Sequence, residues 1–109
     1  MTSPTAPLPL APLPSHPGIH VLTLEPNQGP MTVLDEALIQ RLEATLRLVP
    51  NDCAGLILAS GSPRVFVAGA DLKQIQGLDV DALERYLAFG QRVFGMLCAL
   101  PCPTAAAIH

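Results

Sequence analysis

An α/β fold is predicted for this 109-residue chain from three features of its residue order. Two short apolar runs, GIHVLTL at Gly18–Leu24 and GLILAS at Gly55–Ser60, have the length and the aliphatic, partly β-branched content of buried strands. Two longer stretches carry leucines and other large apolar residues at helical spacing. A last run of small residues, TAAAI, follows the second of these and completes an alternation of strand, helix, strand, helix, strand.

The first seventeen residues, MTSPTAPLPLAPLPSHP, hold six prolines and no charge. Prolines lack the N–H donors of regular structure, so residues 1–17 are expected to form a disordered, extended leader, with the folded unit at 18–109. Pro-Leu-Pro spacing favours polyproline II, but the flanking Arg or Lys of a recognition motif is missing. The leader lacks the basic start and unbroken apolar centre of a secretory signal and the arginines of a mitochondrial presequence, which makes a cytoplasmic location the expectation.

The first strand ends at Pro26 and the turn residues Asn27, Gln28 and Gly29. Thr32 precedes Asp35 by three, a weak variant of a capping box. Leu34, Leu38, Leu42, Leu46 and Val49 then recur every three or four residues up to Pro50 and predict an amphipathic helix. Its acids Asp35 and Glu36 lie early and Arg47 lies late, as the helix dipole favours, and Glu43 is one turn before Arg47. After the strand GLILAS and the turn residues Ser60 to Pro63, RVFV reads as a further brief extended piece. Between Asp79 and Leu100, Leu83, Tyr86, Leu87, Gly90, Val93, Phe94 and Leu97 share one helical face, and Pro101 and Pro103 end it. The small residues of TAAAI are expected to re-enter the core where something packs very close.

Composition excludes several classes of function. Every apolar run is interrupted by Pro, Gly or charge before the roughly 18 residues of a membrane span, so no membrane partner is expected. Net charge is −3, and the six basic residues are scattered from Arg41 to Arg92, which leaves no patch for a phosphate backbone and so no nucleic-acid partner. Cys53, Cys98 and Cys102 form an odd set without C-x-x-C spacing or a completing His, so free thiols and no metal site are expected. Cys98 and Cys102 would face one another on a continuous helix, but Pro101 and Pro103 argue against one.

The junction FVAGADLKQI, Phe66 to Ile75, puts the smallest residues between an apolar run and a helix-like pattern. With DLKQI opening a short helix, Asp71 is a natural N-cap, and nearby N–H groups have no intrahelical acceptor. Ala70 N–H becomes a candidate donor to an oxygen that gains negative charge, while Ala68, Gly69 and Ala70 clear the approach. A free carboxylate beside such an oxygen would oppose that charge, so Asp71 reads as a cap and not as a base.

GLILASGSPRVFVAGADLKQI, followed after the second helix by LPCPTAAAIH, resembles the crotonase superfamily, the enoyl-CoA hydratase/isomerase group. The similarity runs from about Gly18 to His109, with two separated motifs in the family's order. It implies a partial crotonase-like spiral of β-β-α units, truncated before a glycine-rich segment, whose full-length relatives assemble as homotrimers or hexamers. It implies an acyl-CoA thioester as substrate, bound by Ala68, Gly69, Ala70, Asp71 and Leu72, with Ala70 N–H as one donor of an oxyanion hole for a thioester enolate. No cofactor is implied, since coenzyme A is part of the substrate.

The departures carry equal weight. In relatives the strand matching TAAAIH leads into the second oxyanion donor, and the proton-moving acids come later still. Enzymatic activity of this chain by itself is therefore undecided, and a non-catalytic, truncated CoA-binding or interaction module is the alternative to a hydratase or isomerase fragment. A chain cut there is expected to fold marginally. PNQGPMTVLDEAL matches the family only loosely. Asp79, Asp81 and Glu84 are explained by capping, Glu25 by a surface loop, and His16, His20 and His109 by structural or solvated roles. Lys73 and Arg64 flank the turn but read first as solvated, and Tyr86 and Phe89 read as core.

Overall fold

The structure, a computed structural model, describes residues 6–109. Its sheet has four strands in the order β1-β2-β3-β4: β1 Leu10–Leu13, β2 His16–Leu24, β3 Gly55–Ser60 and β4 Thr104–Ala106. β1 and β2 form an antiparallel hairpin, while β2, β3 and β4 run parallel. Parallel neighbours need crossovers. Helix α1, Glu36–Leu46, supplies the first, and α2, Leu72–Gln76, with α3, Val80–Cys98, supplies the second. The hairpin followed by α1 is one β-β-α unit, as expected.

The leader expectation is corrected for its described part. Residues 1–5 lie outside the described residues, but Leu10–Leu13 is a strand and β2 begins at His16, inside the supposed tail. Proline is tolerated there because β1 is the sheet edge, where a missing N–H leaves no partner strand unsatisfied. Its carbonyls still serve: Pro9 O accepts from Thr23 N at 3.0 Å. Upstream, Leu8 is buried and donates its N–H to Thr45 Oγ1 on α1 at 2.7 Å. Arg41 Nε donates to Ala6 O at 2.9 Å, and Arg41 Nη2 also meets Glu25 Oε1 at 2.6 Å.

Asp35, and not Thr32, caps α1: its Oδ1 accepts from Leu38 N at 2.8 Å. Thr32 is fully buried and hydrogen-bonded to Ser62 Oγ at 2.5 Å, so its hydroxyl is needed elsewhere. Asp79 caps α3 through Ala82 N at 2.7 Å, and Glu43 meets both Arg47 at 3.5 Å and Arg92 at 2.6 Å. Leu38, Ile39, Leu42 and Leu46 of α1 join Tyr86 and Val93 of α3 over Leu22, Leu24 and Leu56 of the sheet in one core. The helices come close at Gly90, where an added Cβ would lie 3.8 Å from Ile39 Cδ1.

Two further expectations are corrected. RVFV forms no strand; Phe66 and Val67 pack against the core from a loop. β4 is only three residues long and exposed, so its small side chains are not wedged into a crowded core. Thr104, Ala105 and Ala106 instead leave a cavity of about 110 Å³ against Leu56, Leu58 and Leu97. No helix among the described residues is long and apolar enough to cross a membrane.

Candidate functional site

The junction singled out from the sequence is an exposed turn held from below by the segment Thr32–Leu34. Ala68 N donates to Thr32 O at 2.8 Å, and Leu34 N donates to Gly69 O at 2.8 Å. Leu34 and Ala70 thereby form an isolated parallel bridge. Thr32 is itself anchored to Ser62 and, at 3.3 Å, to Ser60 Oγ at the end of β3, so the turn rests on the sheet through a buried hydroxyl network. On the other side Tyr86 Oη of α3 donates to Leu34 O at 2.5 Å.

Gly69 has φ +111°, a conformation that L side chains rarely adopt, and this is the physical reason for glycine at that position. It turns the following peptide outward. Among the described residues, Ala70 N–H has no hydrogen-bond acceptor, and Ala70 is exposed. Asp71 caps α2 as the sequence predicts: Oδ1 accepts from Lys73 N at 3.1 Å and Gln74 N at 3.3 Å, and Oδ2 accepts from Gln28 Nε2 at 3.2 Å. Its carboxylate is thus committed to structure.

Ala70 stands where two clefts meet. One, of about 480 Å³, is lined by Gln28, Val33, Asp71, Leu72 and Lys73 and is partly polar. The other, of about 220 Å³, is walled by Leu34, Ile39, Tyr86, Leu87, Gly90 and Phe94 and is almost wholly apolar. Leu87 is 51% exposed, although its spacing puts it with the core face of α3. Sequence periodicity marks Tyr86, Leu87 and Phe94 as helical core, and nothing local distinguishes a core position from a cleft wall. Ala68, Gly69, Ala70, Asp71 and Leu72 are brought together as expected, whereas Arg64 lines a separate cleft with Pro30, Met31 and Pro63.

Burial pushes the Tyr86 phenol above its ordinary pKa, and the nearby carboxylates of Asp35, Asp71 and Glu36 add to the shift. Tyr86 therefore stays a neutral hydrogen-bond donor across the physiological range. The Asp71 carboxylate next to Ala70 opposes negative charge there, so an anion held at the turn depends on close N–H donation. His20 lies away from the turn, within 3.4 Å of Cys53 Sγ, and His109 Nε2 lies 2.7 Å from Ser62 O. No group of three or more metal-ligating side chains is found among the described residues.

No protein-family model matches the chain. In sequence it is 38% identical over 71 residues to a probable enoyl-CoA hydratase of Rhizobium meliloti, covering 64% of this chain and 26% of that protein. It is 34% identical over 95 residues to the fatty acid oxidation complex subunit alpha of Shewanella amazonensis, covering 84% of this chain and 14% of that one. In structure it matches the enoyl-CoA hydratase of Mycobacterium smegmatis with a TM-score of 0.80 and 25% identity, over 94% of this chain and 39% of that one. The chain thus spans only a minor part of each.

Proposed function

The chain carries the crotonase fold and is related in sequence to enoyl-CoA hydratases, and from that premise we propose that the Ala68–Leu72 turn is one wall of an acyl-CoA site. Ala70 N–H donates to the thioester carbonyl oxygen, and the acyl chain enters the apolar cleft between α1 and α3. The observation that carries this reading is the outward, unpaired Ala70 N–H at the meeting of the polar and apolar clefts.

When a proton leaves the carbon next to the thioester, or water adds to the conjugated double bond, charge gathers on the carbonyl oxygen. A donor already aimed at that oxygen stabilises the charged state more than the ground state, because it needs no reorganisation. α2 has only five residues, so its dipole contributes little and the N–H itself carries the effect. Asp71 holds the start of α2 in register and takes no proton. Leu34, Ile39, Leu87 and Phe94 shed water from the acyl chain, while Gln28 and Lys73 face the more polar remainder of the ligand. On this reading the protein acts in the hydratase/isomerase class of fatty acyl-CoA chemistry, and Ala70 is one of two oxyanion donors.

The test is binding of an acyl-CoA carrying a ¹³C-labelled thioester carbonyl, followed by isotope-edited infrared spectroscopy. Donation by Ala70 lowers the carbonyl stretching frequency relative to free ligand, and Ala70→Pro, checked for retained folding, abolishes the shift. Binding with an unshifted carbonyl, or equal affinity for acyl-CoA and for CoA lacking the acyl group, would overturn the proposal.

A further inference from the structure

Outside this site the register of the parallel strands, with His20 opposite Leu56 and Leu56 opposite Thr104, places Cys53, Cys102 and His20 at one end of the sheet. Leu56 N of β3 donates to Pro103 O, just before β4, at 2.9 Å. That register lays the chain just before β4 alongside the chain just before β3. Cys102 is half-buried and packs against the core that holds Cys53, which is 7% exposed. Cys53 Sγ donates to Gly55 O at 2.9 Å and lies 3.4 Å from His20 Nδ1. Burial raises the Cys102 thiol pKa, and the charge and hydrogen bonding of the adjacent Cys53 thiol raise it further. Cys98, the third thiol, is exposed at the end of α3.

We propose that Cys53 and Cys102 form a redox site at which a hydroperoxide closes an intrachain disulfide, with His20 as the base for the resolving thiol. Cys102 is the more accessible sulfur and reacts first. Its proton leaves to solvent, the more slowly for the raised pKa, and the thiolate attacks the peroxide; the O–O bond breaks, a sulfenic acid forms, and the hydroxide released takes up a proton to leave as the first water. Cys53 then passes its proton to His20 Nδ1 and its sulfur attacks Cys102 Sγ; the S–S bond forms as the S–O bond breaks, and the oxygen leaves as water. Both sulfurs are oxidised and the peroxide is reduced. For hydrogen peroxide the net change is two thiols to one disulfide with two waters released. The bond ties the starts of two neighbouring strands and closes a loop of roughly 50 residues, which restricts the unfolded chain and stabilises the fold.

The experiment treats the full chain with hydrogen peroxide and maps it by non-reducing digestion and mass spectrometry. The expected product links the Cys53 and Cys102 peptides with loss of two hydrogens, leaves Cys98 free, reverts with dithiothreitol and melts about 10 °C or more higher. Cys98→Ser retains the link. Cys53→Ser leaves a Cys102 sulfenic acid that dimedone traps, and His20→Gln slows closure several-fold without changing which peptides are joined. A Cys98–Cys102 link, a link between chains, or oxidation of Cys102 to the sulfinic acid in wild-type protein with no crosslink would overturn the proposal. Because the wild-type map decides by itself, a variant that fails to fold leaves the result intact.

Discussion

Gly69→Ala probes the turn most directly, because its effect is conformational and not steric. The residue sits at φ +111°, and a Cβ built there meets no other atom within 4 Å. All of the destabilisation must therefore come from holding an L side chain in a disfavoured backbone region, about 1–3 kcal/mol. Alanine also restricts the unfolded chain, which offsets about 0.4–1 kcal/mol of that. A net loss of about 1–2 kcal/mol is expected, or a fall of about 1 M in the urea midpoint for a domain of this size. Gly29, at φ +58°, also has open space around it and lies in the milder left-handed helical region, so Gly29→Ala should lose less. Gly77, at φ −82°, needs no glycine, and its Cβ would make only ordinary contacts at 3.6 Å and 3.7 Å. Gly77→Ala should match or slightly exceed wild type. The assay is urea denaturation of the three variants followed by fluorescence or circular dichroism. Gly69→Ala unfolding at the wild-type midpoint, or Gly77→Ala losing as much as Gly69→Ala, would refute the strain argument. In the acyl-CoA titration, Gly69→Ala should also weaken binding about tenfold or more, since rotating the peptide between Gly69 and Ala70 turns the donor away.

Tyr86→Phe removes the hydrogen bond to Leu34 O and should destabilise by about 1 kcal/mol by thermal denaturation. The folded-state pKa of Tyr86 is raised, so its contribution is complete below the ordinary value of 10.0 and is lost as pH rises from there through the folded value; wild type should lose stability in that window and Tyr86→Phe should lose less. Gly95 lies inside α3 with nothing within 4 Å of a built Cβ, so Gly95→Ala should stabilise by about 0.5–1 kcal/mol, measured by the same melts; a loss would mean that the site is more crowded than described.

Sequence alone determined the helices α1, α2 and α3 and the strands at Gly55–Ser60 and Thr104–Ala106, in their order. Leucine spacing over Leu34 to Leu46 can be satisfied by only one helical face, GLILAS is too short and too apolar for anything but a buried strand, and Asp71 before LKQIQ is a cap whatever surrounds it. These signals are local, and they include the turn at Ala68–Leu72. Tertiary structure decided what depends on a partner distant in sequence. Leu10–Leu13 is a strand because β2 offers it an edge, despite prolines that by themselves favour an extended coil. Thr32 leaves its expected capping role because Ser62, thirty residues on, takes its hydroxyl. RVFV has the composition of a strand but joins no ladder of the sheet, its Phe66 N donating instead to His109 O at 3.2 Å, and Leu87 has the spacing of a core residue but stands in the wall of a cleft. A residue's propensity is written in its own side chain, whereas its hydrogen-bond partner and its exposure belong to whatever the fold brings beside it.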